Sequence, residues 1–248
     1  MLLMDKLLIL LIKKTGQLTA LVVLFISFMS HGYQVQPMSA EIQPIGKMSQ
    51  YSLRVENTDS FPLTLEFIPL KVLQDKYGNN TLSPADEDLL VIPMTAVIQP
   101  GKTQTIMVRY LGDPLIKQSQ SYSIEINQVS VALADQSDSE VSLAFNFKTL
   151  LNVVPANAKA NLQPGTFQKD GDDWTLEVIN TGNRYAKVTE TEWLLSDGIN
   201  SARLDRKNIN QFVDGKLILP NASRVFKVKQ VEGVDMNKAK VKINWNER

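Results

Sequence analysis

The sequence has no cysteine and a single histidine, His31. Without cysteine, disulfides, thiol catalysis and thiolate metal sites are excluded. His31 lies in a leader expected to be removed, so the mature chain would hold no imidazole. That loss excludes a Ser–His pair, a histidine metal site and imidazole base catalysis near neutral pH. An excess of charge of either sign is also missing, since 26 Lys+Arg stand against 26 Asp+Glu. Nucleic-acid binding normally needs a basic face, so the balance gives it no support. Carboxylates are the remaining catalytic groups. They cluster at Asp86, Glu87 and Asp88 and at Asp170, Asp172 and Asp173, each time beside Gly, Pro or Asn, which reads as solvated turns. A secreted carboxylate-dependent hydrolase would need two acids facing a cleft, and none can be assigned. We therefore expect no enzyme, no metal and no cofactor.

What is present is enough apolar sequence for packed cores. The 248 residues are 44% hydrophobic and 21% charged, which argues against disorder and allows one large or two small domains. At the N-terminus Lys6, Lys13 and Lys14 precede an apolar run, Leu18 to Met29, and small residues follow at Ser30 and Gly32. This order describes a secretory signal peptide over residues 1–32, with cleavage expected near Gly32–Tyr33. The run is shorter than the roughly twenty residues of a membrane span. Because Leu7 to Ile12 is apolar too, an uncleaved anchor is the alternative.

Beyond the leader the periodicity is two, not 3.6. Tyr33 to Glu41, Gln50 to Asn57, Thr64 to Val72, Leu89 to Pro93, Thr103 to Tyr110 and Tyr122 to Val129 read as strands. Asp75 to Pro84 and Ala132 to Glu140 read as polar loops. Short strands divided by Gly, Pro and Asn turns are the pattern of an immunoglobulin-like β-sandwich. Pro155 to Gln163 reads as a hinge. A second series follows at Trp174 to Asn180, Tyr185 to Trp193, Lys216 to Leu219, Arg224 to Val228 and Lys240 to Trp245. Trp174, Trp193 and Trp245 read as core residues of this half. The expectation is an all-β chain of two immunoglobulin-like sandwiches, residues 33–155 and 156–248, joined by a short hinge.

One stretch stands apart. In Val141 to Pro155, VSLAFNFKTLLNVVP, the residues Val141, Leu143, Phe145 and Phe147 are apolar at every second position. The run is long for a strand. A long strand with a bulky apolar row belongs in a sheet interior or at an edge that something else covers.

Four segments together carry a resemblance: VQPMSAEIQP, SLRVENT, VIPMTAVIQPGKTQTIMVRY and, opening the second half, LEVINTGNRYAKV. In this order, after a signal peptide and around a long alternating strand, the chain resembles the PapD-like periplasmic chaperones of chaperone–usher pilus assembly. The resemblance spans Tyr33 to Trp245 and is weaker in the second half. It implies a periplasmic chaperone that binds pilus or fimbrial subunits and delivers them to an outer-membrane usher. A subunit is an incomplete sandwich, and the family completes it by donating the last strand of the first domain. The resemblance assigns Val141, Leu143 and Phe145 as donor residues, with Phe147 extending the row. Filling their own domain's core is the other role open to them. A homodimer that caps the strand is expected when no subunit is bound.

The sequence also departs from the family. Two basic residues of its interdomain cleft hold the subunit's terminal carboxylate. The first, an Arg, aligns on Ser39, and the second, a Lys, falls on Leu150. Lys148 lies two residues earlier on the same strand face and is the candidate carboxylate anchor, with a plain solvated lysine as the alternative. Lys47 or Arg54 could supply a second charge, and the sequence does not decide. The loop 132–140 lacks the family's proline, and Val154 replaces its Arg. The competing reading is a two-domain β protein that binds another secreted protein or a glycan through loop aromatics such as Tyr77 or Phe212.

Overall fold

The computed structural model describes residues 32–129 and 145–245. The leader and the donor candidates Val141 and Leu143 lie outside the described residues. In the first half, β1 (Tyr33–Gln36), β2 (Ser39–Ile42), β3 (Gln50–Asn57), β4 (Leu63–Gln74), β5 (Asn80–Pro84) and β6 (Leu89–Ile92) are followed by β7 (Thr95–Ile98), β8 (Thr103–Tyr110), β9 (Gln120–Gln128), β10 (Asn146–Lys148) and β11 (Leu150–Val153). One sheet runs β1-β3-β8-β6; the other runs β2-β11-β9-β4-β5, with β10 on β9 and β7 on β4. Alternation decides which side chains face inward. Leu53, Val55, Ile106 and Val108 from the first sheet meet Leu65, Phe67, Ile124, Ile126 and Leu151 from the second, all fully buried.

Three elements differ from the sequence reading. The expected first strand is two strands in two sheets. Between them Pro37 has no N–H to offer a ladder, and the chain crosses the sandwich there. The expected loop from Asp75 to Pro84 is a turn only as far as Asn79, where the Asp75 carboxylate accepts from the Tyr77 and Asn79 amides. The rest is β5, hydrogen-bonded to β4 with Leu70 opposite Pro84 and Gln74 opposite Asn80. It is an edge strand with no fully buried residue, so it carries no apolar alternation. The stretch after residue 145 is two strands, both paired with β9 in a single register from Asn146↔Asn127 to Val153↔Gln120.

The second half contains β12 (Leu162–Asp170), β13 (Asp173–Asn180), β14 (Ala186–Lys187), β15 (Thr191–Ser196), β16 (Ser201–Leu204), the one-turn helix α1 (Ile209–Phe212), β17 (Val213–Asp214), β18 (Leu217–Ile218), β19 (Ala222–Val228) and β20 (Lys240–Trp245). Its sheets run β12-β13-β19-β17 and β16-β15-β20, with the pair β14-β18 beside them. Trp193 is fully buried, edge-on to Phe226 at 5.8 Å, and Trp174 is buried against Phe167. Trp245 is partly buried on the same core. The strand β12 was not foreseen: Pro164 and Gly165 interrupt its pattern, and only an edge strand with a bulge tolerates them.

Two seams tie the halves together. At the first, the Glu41 carboxylate on β2 accepts from Arg184 Nη2 at 2.8 Å and from the Tyr185 hydroxyl at 2.7 Å. Beside it, the Tyr185 amide donates to Ser119 Oγ at 2.7 Å and the Ser119 amide to the Asn183 carbonyl at 2.9 Å. At the second, the Val225 amide donates to the Lys76 carbonyl at 2.6 Å, and Arg224 donates to Gln74. The Arg224 guanidinium is wedged between Gly78 and Gly215. A Cβ on Gly78 would lie 2.4 Å from Arg224 Nη2 and one on Gly215 2.6 Å, and both glycines have positive φ besides.

Buried phenols give this fold a steep alkaline limit. Burial pushes Tyr33 and Tyr51 up to about 12. Tyr122 is raised further by burial and then by its bond to Asp88, and Tyr185 by burial and then by Glu41. The unfolded chain ionises its tyrosines near pH 10 while the folded chain keeps these protonated. Their stabilisation is therefore intact below about pH 10 and is lost as pH rises toward 12, at up to roughly 1.4 kcal/mol per pH unit for each phenol and less where water reaches the hydroxyl. The melting temperature should fall steeply across that window. In a Tyr77→Phe background, which removes the exposed phenol, most of the tyrosinate absorbance should rise with unfolding rather than before it.

Candidate functional site

The described end of the alternating stretch pairs with β9 along one edge, and the start of its other edge is paired by no other described strand. The Thr149 amide donates to the Ile124 carbonyl on β9 at 3.1 Å, and the Leu150 amide donates the other way, to Met38 at 3.0 Å. By the alternation of an antiparallel ladder, odd-numbered residues here address β9 and even-numbered residues address the opposite side. From Leu150 onward that side is filled by β2, parallel to β11 with Leu150 opposite Ser39. Before Leu150, no described strand fills it: β10 pairs with β9 only. Among the described residues the backbone groups of Asn146 and Lys148 therefore face an unpaired edge that stops where β2 begins.

The three described site candidates fall in three environments. Phe147 is partly buried on the first core, and its ring meets Tyr33 edge-on at 4.9 Å. Phe145 shares that face but is 49% exposed. Its backbone is held at both ends, the amide donating to Gln128 Oε1 at 3.2 Å and the carbonyl accepting from the Tyr33 hydroxyl at 2.6 Å. Lys148 is on the opposite face, 3.6 Å from the Glu125 carboxylate on the partner strand.

Lys148 also lines a cleft of about 790 Å³ between the halves. The first half contributes Ser39, Lys148, Thr149 and Leu150 to its walls, and the second contributes Lys187, Lys216 and Arg224. Among the described residues four cations line the space and no carboxylate does. Burial lowers the affinity of Arg224 for its proton, and this side chain already bonds the Leu217 carbonyl and Gln74. Neither Lys47 nor Arg54 lines the cleft: Lys47 sits in the turn Gly46–Met48 and Arg54 on β3. The sequence singled out none of the three second-half cations. They lie on β18, β14 and β19 or the turns beside them, and only the two seams bring them opposite Lys148.

The acidic clusters are structural among the described residues. Asp88 binds Lys71 Nζ at 3.2 Å and the Tyr122 hydroxyl at 2.8 Å. Asp170 to Asp173 make the turn between β12 and β13. No group of three metal-ligating side chains occurs among the described residues. Tyr77 is exposed beside Lys76, whereas Phe212 is packed on the second core.

The described residues thus form two β-sandwiches joined at a cleft, the first ending in a strand with one edge unpaired by any described strand. No protein-family model and no curated protein sequence matches the chain. Solved structures do. The class 5 fimbriae chaperone CfaA superposes with a TM-score of 0.56 at 14% identity, over 87% of this chain and all of that one. The YadV chaperone superposes with a TM-score of 0.55 at 16% identity, over 86% of this chain and 91% of that one. A chain of the Salmonella enterica SafA pilin–SafB chaperone complex gives 0.53 at 15%, over 80% and 85%. The all-β, two-sandwich architecture read from the sequence is the architecture of the structure, and the likeness to PapD-like chaperones extends from sequence segments to the fold.

Proposed function

We propose that this chain is a periplasmic chaperone that captures fimbrial subunits by lending them a strand and hands them to an outer-membrane usher. The observation that carries the reading is the open edge of β10 running into the basic cleft. A guest strand added along this edge meets the start of β2 at Leu150 and must end there. Its end lies among Lys148, Lys187, Lys216 and Arg224, and no described carboxylate lines the cleft. Four cations repel an amino terminus and attract a carboxylate. The guest therefore runs parallel to β10, with its C-terminus in the cleft.

The neighbouring side chains complete the fit. Phe145 is half exposed at the mouth of the first core, and Val141 and Leu143 continue its row outside the described residues. Burying such side chains in a guest's groove is worth about 1.5–3 kcal/mol each when they start fully exposed, and about half that for Phe145. Lys148 exchanges Glu125 for the incoming carboxylate. In this reading residues 1–32 are the leader, residues 33–155 the donor domain and residues 156–248 the second wall of the cleft. A second copy caps the edge when no guest is present.

The test is to express the tagged full chain with its leader and purify it from the periplasm. Mass spectrometry should find a sandwich subunit bound one to one. A glycan, an unrelated secreted protein or nothing in its place would overturn the reading.

A further inference from the structure

The ladder between β9 and β10 stops one pair short of where its register would carry it. Asn146 is opposite Asn127, so the next pair would be Phe145 with Gln128. Odd-numbered residues of this strand address β9, and a continued ladder would join the Phe145 and Gln128 backbones directly. Instead, three of the backbone groups concerned meet side chains. The Phe145 amide donates to Gln128 Oε1 at 3.2 Å, and the Gln128 amide donates to Asn146 Oδ1 at 3.3 Å. The Phe145 carbonyl accepts from the Tyr33 hydroxyl at 2.6 Å. These side chains come from three strands, and Tyr33 reaches across from the other sheet. Tyr33 is itself well held. It pairs with Asn57, the Gly32 carbonyl before it accepts from the Thr58 amide and hydroxyl, and its buried ring meets Phe147 edge-on. A continued ladder would draw the Phe145 ring onto the first core, as Phe147 is drawn, and a detached strand would let it swing away. The side-chain clasp permits neither and leaves the ring 49% exposed at the rim.

We infer that Tyr33, Gln128 and Asn146 are positioning residues for strand lending: together they fix the residue at which the lent strand parts from its own sheet and the face it then shows. The inference rests on the strand-capture reading and deepens it. Side chains alternate along a strand, so a slip of one residue would turn the apolar row away from the guest's groove. A strand already held in phase also loses less conformational freedom when a guest pairs with it. The Tyr33 hydroxyl contributes most, because its bond is the shortest of the three and partly buried, whereas the other two are exposed to water.

The test uses the full chain and a fluorescent peptide of alternating valine and threonine, roughly ten residues long to match a long strand. Peptide affinity should fall at least about fivefold in Y33F/Q128L, the worth of one or two modest hydrogen bonds. Y33F keeps the ring on Phe147 and Q128L keeps the side-chain bulk, so the fold itself should persist. Y33F/Q128E, which restores an acceptor oxygen for the Phe145 amide, should recover part of the loss. Amide exchange followed by NMR reads the clasp without a guest. In Y33F/Q128L the Phe145 amide should exchange at least about fivefold faster, with those of Ile124 and Ile126 on β9 unchanged. Exchange that quickens along β9 as well would make Tyr33 a core residue only and overturn the assignment. Peptide affinity within about twofold of the wild-type value in Y33F/Q128L would overturn it too, and leave strand capture standing. A wild-type chain that binds no peptide overturns strand capture, and this inference with it.

Discussion

Phe145→Asp should abolish capture of a guest subunit while leaving the melting temperature of the free chain unchanged. The side chain is 49% exposed, so the free protein solvates a carboxylate there at little cost. The local backbone does not depend on the ring. Gln128 holds its amide and the Tyr33 hydroxyl its carbonyl, and both bonds survive the substitution. In the complex the same carboxylate would enter an apolar groove unpaired. Burying an unpaired charge costs several kcal/mol, which corresponds to a loss of at least about a hundredfold in affinity. Co-purification from the periplasm reads capture, and circular dichroism reads the fold. If the Asp variant still carries its subunit, the donor role of this strand is wrong. Phe147→Asp is the contrasting case: its ring packs on Tyr33 and the first core, so the free chain itself should be destabilised.

Trp193→Ala should cost about 3–5 kcal/mol, the usual range when a large buried aromatic is truncated. Trp193 is fully buried on β15 between β16 and β20 and meets Phe226 of the facing sheet edge-on. No small shift of two paired strands can refill that volume. The loss should extend to the cleft, because the β14–β18 ribbon that carries Lys187 stands on Ala186, Val188 and Ile218 of the same core. Urea unfolding followed by tryptophan fluorescence should show an earlier transition in the second half. A change under 1 kcal/mol would mean that this core tolerates far more repacking than its burial implies.

The central strands were legible because each buries one face. QYSLRVEN and TQTIMVRY alternate in sequence, and Leu53, Val55, Ile106 and Val108 are the buried residues that result. Strands β5 and β12 were not legible: β5 is an edge strand with no buried face, and Pro164 and Gly165 break the pattern of β12. Phe145 and Phe147 look equivalent in the sequence and are not. The paired part of β9 ends at Gln128 and Tyr33 packs against Phe147, so one ring is covered and the next is left at the rim. The cleft was the least legible part. Its cations come from separate strands of both halves, and the hydrogen bonds that join the halves come from residues with no shared pattern. Lys148 could be singled out because it shares a strand face with Leu150, the position to which the family resemblance assigns a cleft lysine. Lys187 and Lys216 could not.

Strand β2 is four residues long and does two jobs at once. Ser39, at its start, would in the proposed capture mark the place where a visiting chain runs out of room. Glu41, two residues on, is the post to which Arg184 and Tyr185 are moored. The end-stop and the mooring of the opposite wall are thus one rigid piece. Any slip of this short segment would carry both along, so in the proposed capture the stop would keep its alignment with the charges waiting for the visitor's last residue.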